Sequence, residues 1–292
     1  MPGTLYLCAT PIGNLKDITL RVIETLESVD LIAAEDTRNS IKLLNHFKIK
    51  TPMTSYHEYN KYEKGKQLIE RLLNGEEIAL ITDAGTPGIS DPGEELVMMC
   101  YENEITVTSL PGAAACIAAL SISGQSTKRF VFEGFLPSKG KERIGVIKDL
   151  CNEPRTIVIY EAPHRLVKTL ESLVEHLGNR QISVCRELTK RYETVYKGDL
   201  EETIAFYEKY PPRGECVLVI SGKEPEELKL EVEESWNEWS IEEHMDFYMV
   251  GGTEKKEAMK KVAKDRGISK REVYNYLVSL SKESNGDNGE KE

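Results

Sequence analysis

The sequence predicts an α/β protein with an open, mainly parallel sheet, a second mixed α/β domain and a small C-terminal helical module. Three observations carry this reading. Short β-rich runs alternate with amphipathic stretches over the first 222 residues, which is the rhythm of βα units. From about Arg129 the spacing changes, and two strand-like runs are joined only by Glu187 to Glu193, a link that implies antiparallel pairing. Beyond residue 222 the charge separates sharply along the chain.

In order, strands are expected at Thr4–Ala9, Asp30–Ala34, Glu77–Thr82 and Ile105–Leu110, with helices near 18–28, 37–47, 60–73 and 91–102. A Ser/Gly/Gln/Thr stretch, Ser121–Lys128, marks a boundary. The second domain then offers strands at Phe130–Phe135, Thr156–Tyr160, Ile182–Arg186, Thr194–Lys197 and Glu215–Ser221, with helices near 141–151, 165–177 and 199–208. Residues 223–253 carry ten acidic side chains against two lysines and read as an acidic, partly helical connector holding Trp236 and Trp239. Residues 254–280 carry eight basic against four acidic side chains, in two helices, Glu254–Asp265 and Lys270–Leu280. Gly267 is placed to end the first and Ser269 to cap the second, a helix-turn-helix layout with Ala258, Val262, Ala263, Ile268, Val273, Tyr274 and Leu277 as its apolar face. The expected division is therefore 1–121, 122–222, 223–253, 254–281 and a disordered tail, 282–292.

Composition excludes several classes. A chain of 292 residues with 40% hydrophobic and 30% charged residues has material for more than one core. Its longest uninterrupted apolar run, Ala113–Leu120, falls far short of a bilayer crossing, and Met1-Pro-Gly-Thr lacks a secretion signal. Six cysteines stand far apart without zinc or redox spacing, so they read as reduced thiols of a cytoplasmic protein. The net charge of −11 argues against a polyanion partner until the basic segment is set apart from the acidic one before it.

The familiar motifs are missing. No G-x-G-x-x-G follows the first strand, and Gly134–Lys141 fails as a phosphate loop because Glu142 stands where Ser or Thr is required. No H-E-x-x-H or clustered histidine spacing supports a metal, and no G-x-S-x-G elbow supports a serine hydrolase. What remains are loops at strand ends, where open α/β sheets bind ligands. The densest is Thr82-Asp-Ala-Gly-Thr-Pro-Gly-Ile-Ser-Asp-Pro-Gly93. Asp91 there suits a helix cap before Pro92, whereas Asp83, at the strand end, suits a ribose hydroxyl or an amine as well as a turn. The alanines after Pro111-Gly112 leave room for something flat or for close helix packing. Glu161-Ala-Pro-His-Arg165 and Arg186-Glu-Leu-Thr-Lys-Arg191 gather charges past strands of the second domain.

Taken in order, Ala9–Thr19, Ala34-Glu-Asp-Thr-Arg38, Thr82–Gly93, Leu110-Pro-Gly112, Glu133–Pro137, Tyr160–Arg165 and Arg186–Lys190 resemble the tetrapyrrole methylase superfamily. Within it they resemble the branch that methylates a cytidine 2′-hydroxyl of small-subunit (16S) ribosomal RNA. The resemblance implies a two-domain tetrapyrrole-methylase-like fold, S-adenosyl-L-methionine bound between the domains, and a homodimer. It places cofactor contacts at Pro11, Thr82, Asp83, Thr86, Ala114 and Ala115, and from the second domain at Tyr160, Glu161 and Leu188. The tetrapyrrole branch has Gly-Asp-Pro after its fourth strand; this chain has Thr82-Asp83-Ala84, which favours RNA over a porphyrin-like substrate. A ribose hydroxyl is a poor nucleophile, so Glu35, Asp36, Arg38, Glu187 and Lys190 are the candidates to accept its proton or stabilise its charge. Arg38, His164, Arg165 and the basic helices are candidates for RNA phosphates. No metal is required. Two other readings stay open, a small-molecule methyltransferase of the same superfamily and a ligand-sensing DNA-binding regulator.

Overall fold

The computed structural model describes residues 1–138, 140–224, 226 and 239–286. It divides into two compact units, Met1–Gly222 and Lys223–Glu292.

The first unit opens with β1 (Thr4–Cys8), α1 (Leu20–Ser28), β2 (Leu31–Ala34), α2 (Thr37–His46), β3 (Met53–Ser55), α3 (Lys61–Leu73), β4 (Ile78–Ile81), α4 (Gly93–Glu102), β5 (Thr106–Leu110) and α5 (Ala115–Ser123). Its five strands are parallel in the order β3-β2-β4-β1-β5. Every residue of β2 and β4 is buried, as expected of inner strands covered on both faces. One face carries Leu68 and Leu72 of α3 and Leu96 of α4; the other carries Val22 and Leu26 of α1 and Leu44 of α2. Thr19 and Asp36 accept the first free N–H groups of α1 and α2. The connection from β1 leads toward β2, that from β4 toward the opposite edge, so the loops after these adjacent strands diverge and leave a crevice.

The second sheet holds β6 (Phe130–Phe135), β7 (Thr156–Glu161), β8 (Gln181–Arg186), β9 (Thr194–Asp199) and β10 (Cys216–Ile220) in the order β6-β7-β10-β8-β9. Only the β6–β7 pair is parallel, and the short link from β8 to β9 gives the antiparallel pairing its length implied. Helices α6 (Gly140–Asp149), α7 (Leu166–Leu177) and α8 (Leu200–Lys209) bury one face through Ile147, Leu170, Leu173 and Tyr207. The other face receives Cys116, Ala119 and Leu120 of α5, together with Ile12 from the loop after β1 and Leu188 from the loop after β8. The alanine-rich segment therefore packs closely against the second sheet and joins the two lobes of this unit.

The second unit contains α9 (Ile241–Val250), α10 (Lys255–Asp265) and α11 (Lys270–Gly286). Ser240 and Glu243 cap α9 reciprocally, and Ser269 and Glu272 do the same for α11. Gly267 turns the chain at φ +63°. Met245, Ala258, Val262, Ala263 and Val273 form the core. Tyr274 departs from expectation: it is 57% exposed. The reason is that α9, rather than Tyr274, closes the apolar face. Trp236 and the rest of 227–238, and 287–292 of the expected tail, lie outside the described residues, whereas 282–286 continue α11.

Candidate active site

The site grows from the ends of β1 and β4. Just beyond them Thr10 and Gly85 form a two-way backbone bridge, Thr10 N–H donating to Gly85 O at 2.8 Å and Gly85 N–H to Thr10 O at 3.1 Å. The Thr10 hydroxyl donates to Thr82 O at 3.1 Å, and the Thr86 hydroxyl to Ala113 O at 3.0 Å, tying in the loop after β5. Gly85 has φ +91°, a conformation L side chains rarely adopt. Asp91 holds the far end of this loop by accepting N–H groups of Gly88 and Gly93 at 2.9 and 2.8 Å; Pro92 occupies the cap position itself. Asp91 thus organises the loop and the start of α4.

Two cavities flank this frame. The larger, about 380 Å³, runs between the lobes. Its floor is small, Ala84, Gly85, Ala114 and Ala115; Ile12, Ile89, Phe135 and Val217 give apolar walls; Glu35, Asp83 and Glu215 bring carboxylates. Tyr160 also lines it, accepts the Cys116 N–H at 3.0 Å, and has its phenol pushed up by burial. The smaller cavity, about 220 Å³, lies between the loop after β1 and α2 and is lined by Pro11, Leu15, Ser40, Lys42 and Leu43 among others. Thr82 and Asp83 belong to both.

At this shared wall, Glu35 Oε2 accepts the Thr82 hydroxyl at 2.5 Å and the Asp83 N–H at 3.3 Å. Asp83 in turn accepts the Asp36 N–H at 3.2 Å and the Asn39 amide at 3.0 Å. The next two candidates turn away. Asp36 caps α2 and chelates Arg38, with bonds of 3.0 and 2.6 Å, and these bonds with the Arg38 N–H lower the Asp36 carboxyl to about 2. Arg38 itself is 88% exposed and lines neither cavity.

Across the crevice, Lys190 Nζ pairs with Glu187 at 3.0 Å and with Glu215 at 2.9 Å. Burial works against the Glu187 charge, but Lys190 and the Glu215 N–H hold its carboxyl below the ordinary range. The loop carrying these groups is strained, with Glu187 at φ 51° and Thr189 at φ 65°. Lys190 lies against Gly13, where an added Cβ would come within 2.4 Å of its Cγ. Glu187 and Lys190 reach the larger cavity only through Glu215.

Of the expected cofactor contacts, Thr82, Asp83, Thr86, Ala114, Ala115, Tyr160 and Glu161 line the larger cavity. Pro11 lines the smaller one, and Leu188 is in the core between the lobes. Glu161 is only 2% exposed and its carboxylate is taken up by the Thr169 hydroxyl, the Ala162 N–H at 2.8 Å and Arg165 at 3.2 Å. Arg165 also donates to Leu136 O at 2.9 Å, which commits this guanidinium to the fold. Sequence reading missed Ile12, Phe135 and Glu215. Phe135 and Glu215 sit at the lobe-facing ends of strands, a signal visible only once the second sheet's order is known.

The two cavities adjoin at the strand ends of a two-lobed α/β unit, the place where open α/β sheets bind ligands. The chain belongs to the tetrapyrrole methylase family: the family described as Tetrapyrrole (Corrin/Porphyrin) Methylases matches residues 4–204. It is 47% identical over 95% of its length to 98% of the ribosomal RNA small subunit methyltransferase I of Synechocystis sp., and 48% identical over 94% to 94% of the Halalkalibacterium halodurans protein of that name. The Thermotoga maritima protein of that name matches over its whole length, 44% identical, but covers 76% of this chain. Among solved structures, diphthine synthase (TM-score 0.60, 14% identity, 75% of this chain and 89% of that one) shares the fold. So does the Thermus thermophilus uroporphyrin-III-C-methyltransferase (TM-score 0.54, 18% identity, 74% and 94%). The chain is a methyltransferase, and S-adenosyl-L-methionine is the methyl donor of its family.

The larger cavity fits that donor. Its carboxylates complement the donor's sulfonium and ammonium charges, and its small floor and apolar walls suit a flat purine. Among the described residues no group of His, Cys, Asp and Glu is placed to hold a metal ion.

Proposed function

We propose that this protein transfers the methyl group of S-adenosyl-L-methionine to the 2′-hydroxyl of a cytidine in 16S ribosomal RNA, as a homodimer working in the cytoplasm where ribosomes are assembled. The observation that carries this reading is the full-length kinship, 47–48% identity over 94–95% of the chain, to proteins named ribosomal RNA small subunit methyltransferase I.

When bound, the donor supplies a methyl group on a positively charged sulfur, so little covalent help is needed from the protein. The site residues position and deprotonate. Thr82, Asp83, Thr86, Ala114, Ala115 and Tyr160 hold the donor in the larger cavity. Glu35, at the wall shared with the acceptor side, is placed to take the hydroxyl proton, and the Thr82 hydroxyl fixes its carboxylate. Lys190 sets Glu215 against the donor cavity and neutralises part of its charge. The exclusion of water between the lobes strengthens each of these interactions.

RNA engagement is supported by the second unit. Lys255 and Lys256 begin α10, Lys270 and Arg271 begin α11, and all four line one shallow groove with Met259 and Tyr274. Cations are disfavoured in the first turn of a helix, and these four have no ion pair among the described residues, so an external polyanion is their fitting partner.

The test is a labelled-methyl assay on small ribosomal subunits with a readout specific for 2′-O-methyl nucleosides. Label in a ribose of 16S RNA is the expected result. Label confined to a porphyrinoid, or no transfer accompanied by tight duplex-DNA binding, would overturn the reading.

A further inference from the structure

We propose that the smaller cavity seats the acceptor nucleoside, unstacked from its RNA strand, and that Ser40 is the residue that reads it; this rests on the function proposed above. The cavity abuts the larger one at Thr82 and Asp83, which line both, so an acceptor seated in it would stand beside the donor. At about 220 Å³ it is smaller than the pockets of about 300–1,000 Å³ that take drug-sized ligands, so it suits one nucleoside of a long polymer and not a porphyrinoid.

Its polar groups are mostly spoken for. The Thr10 hydroxyl bonds Thr82 O, the Thr82 hydroxyl bonds Glu35, and the Asn39 amide bonds Asp83. Ser40 is the exception: it is 5% exposed, it lines the cavity from α2, and its buried Oγ has no hydrogen-bond partner. A buried hydroxyl without a partner is costly, and a serine in a helix ordinarily bonds back to the preceding turn. As the side chain stands, Oγ is closed off from solvent. Rotation about χ1 would turn the hydroxyl to a base or ribose edge, with Leu15 and Leu43 as apolar contacts and Lys42, exposed on the rim, to meet a phosphate.

Two variants test this. Ser40→Ala removes only the orphan hydroxyl, so the fold should keep or slightly gain thermal stability. We expect KM for small subunits to rise about three- to tenfold, the worth of one hydrogen bond, while calorimetric affinity for S-adenosyl-L-methionine stays unchanged. Ser40→Thr, which keeps the hydroxyl, should recover most of the loss. Leu15→Trp, on the partly exposed loop after β1, should block the cavity and abolish transfer with donor binding intact. Unchanged kinetics in both Ser40→Ala and Leu15→Trp would overturn the proposal, as would a loss of donor affinity in either. If instead the unaltered protein transfers no methyl to RNA, the function itself is wrong and the acceptor assignment falls with it.

Discussion

Thr82 and Glu35 directly follow neighbouring strands, β4 and β2, and their side chains meet at 2.5 Å where the two cavities adjoin. This hydrogen bond, together with the one from the Asp83 N–H, aligns a carboxylate that lines the larger cavity beside the wall it shares with the smaller one. Glu35→Gln should keep the fold, weaken donor binding modestly because one cavity carboxylate loses its charge, and lower kcat about 10²–10⁴-fold, the usual worth of a general base. Thr82→Val, which leaves the carboxylate held only by the Asp83 N–H, should give a smaller fall in kcat. Equal kcat in both variants and the parent would remove Glu35 from the mechanism.

Glu161 is expected to behave as part of the fold. Its carboxylate is buried against Arg165 and the Thr169 hydroxyl, so Glu161→Ala should destabilise the protein by about 1–3 kcal/mol in chemical denaturation, because the Thr169 hydroxyl and the Ala162 N–H lose their acceptor and Arg165 keeps only backbone carbonyls. A variant that folds with parental stability but loses donor binding would restore Glu161 as a cofactor contact.

The four groove cations should act on RNA and not on the donor. Replacing Lys255, Lys256, Lys270 and Arg271 together by alanine is expected to weaken RNA binding and to flatten its salt dependence. The log–log slope should shrink by about 0.7 for each phosphate of a single strand that the variant no longer neutralises. A parental slope in the quadruple variant would assign the module a purely structural role.

His244 makes the second unit acid-sensitive. It is fully buried, accepts from Arg266 Nε at 3.1 Å, and is held below the ordinary histidine range by burial first and by Arg266 second. The unfolded chain therefore binds a proton more readily than the folded one. The stability this contributes is present above pH about 6.5 and declines as pH falls below that value. Amide exchange in α9–α11 should quicken between neutral pH and about pH 5, and His244→Gln should flatten that dependence. Exchange that stays level across the range would show that His244 is not the titrating group.

Much of this was legible from residue order. The alternation of apolar runs placed nine of the ten strands, and strand ends pointed to Thr82, Asp83 and Glu35. β3 escaped because Met53-Thr-Ser55 is too short and too polar to show alternation. The acidic segment read as partly helical, but the bounds of α9 and its place in the module's core went unread, although Ser240 followed three residues later by Glu243 is a capping signature. Adjacent residues also diverged in ways that no spacing reveals: Glu35 enters the cavity, whereas Asp36 is spent on capping α2 and on Arg38. The second lobe's contribution was hardest to read, because Glu215 and Phe135 reach the site through a sheet whose strand order does not follow the sequence.

Thr189 sits at φ 65°, an awkward posture for a β-branched residue, one position before Lys190. Thr189→Gly should raise the midpoint of thermal unfolding by relieving about 1–3 kcal/mol of backbone strain. Durability and turnover would then part company, since a loosened loop would no longer fix the Lys190 ammonium between Glu187 and Glu215. Heat-hardening campaigns on this protein should accordingly leave that threonine alone and look for their gains in the three-helix appendage.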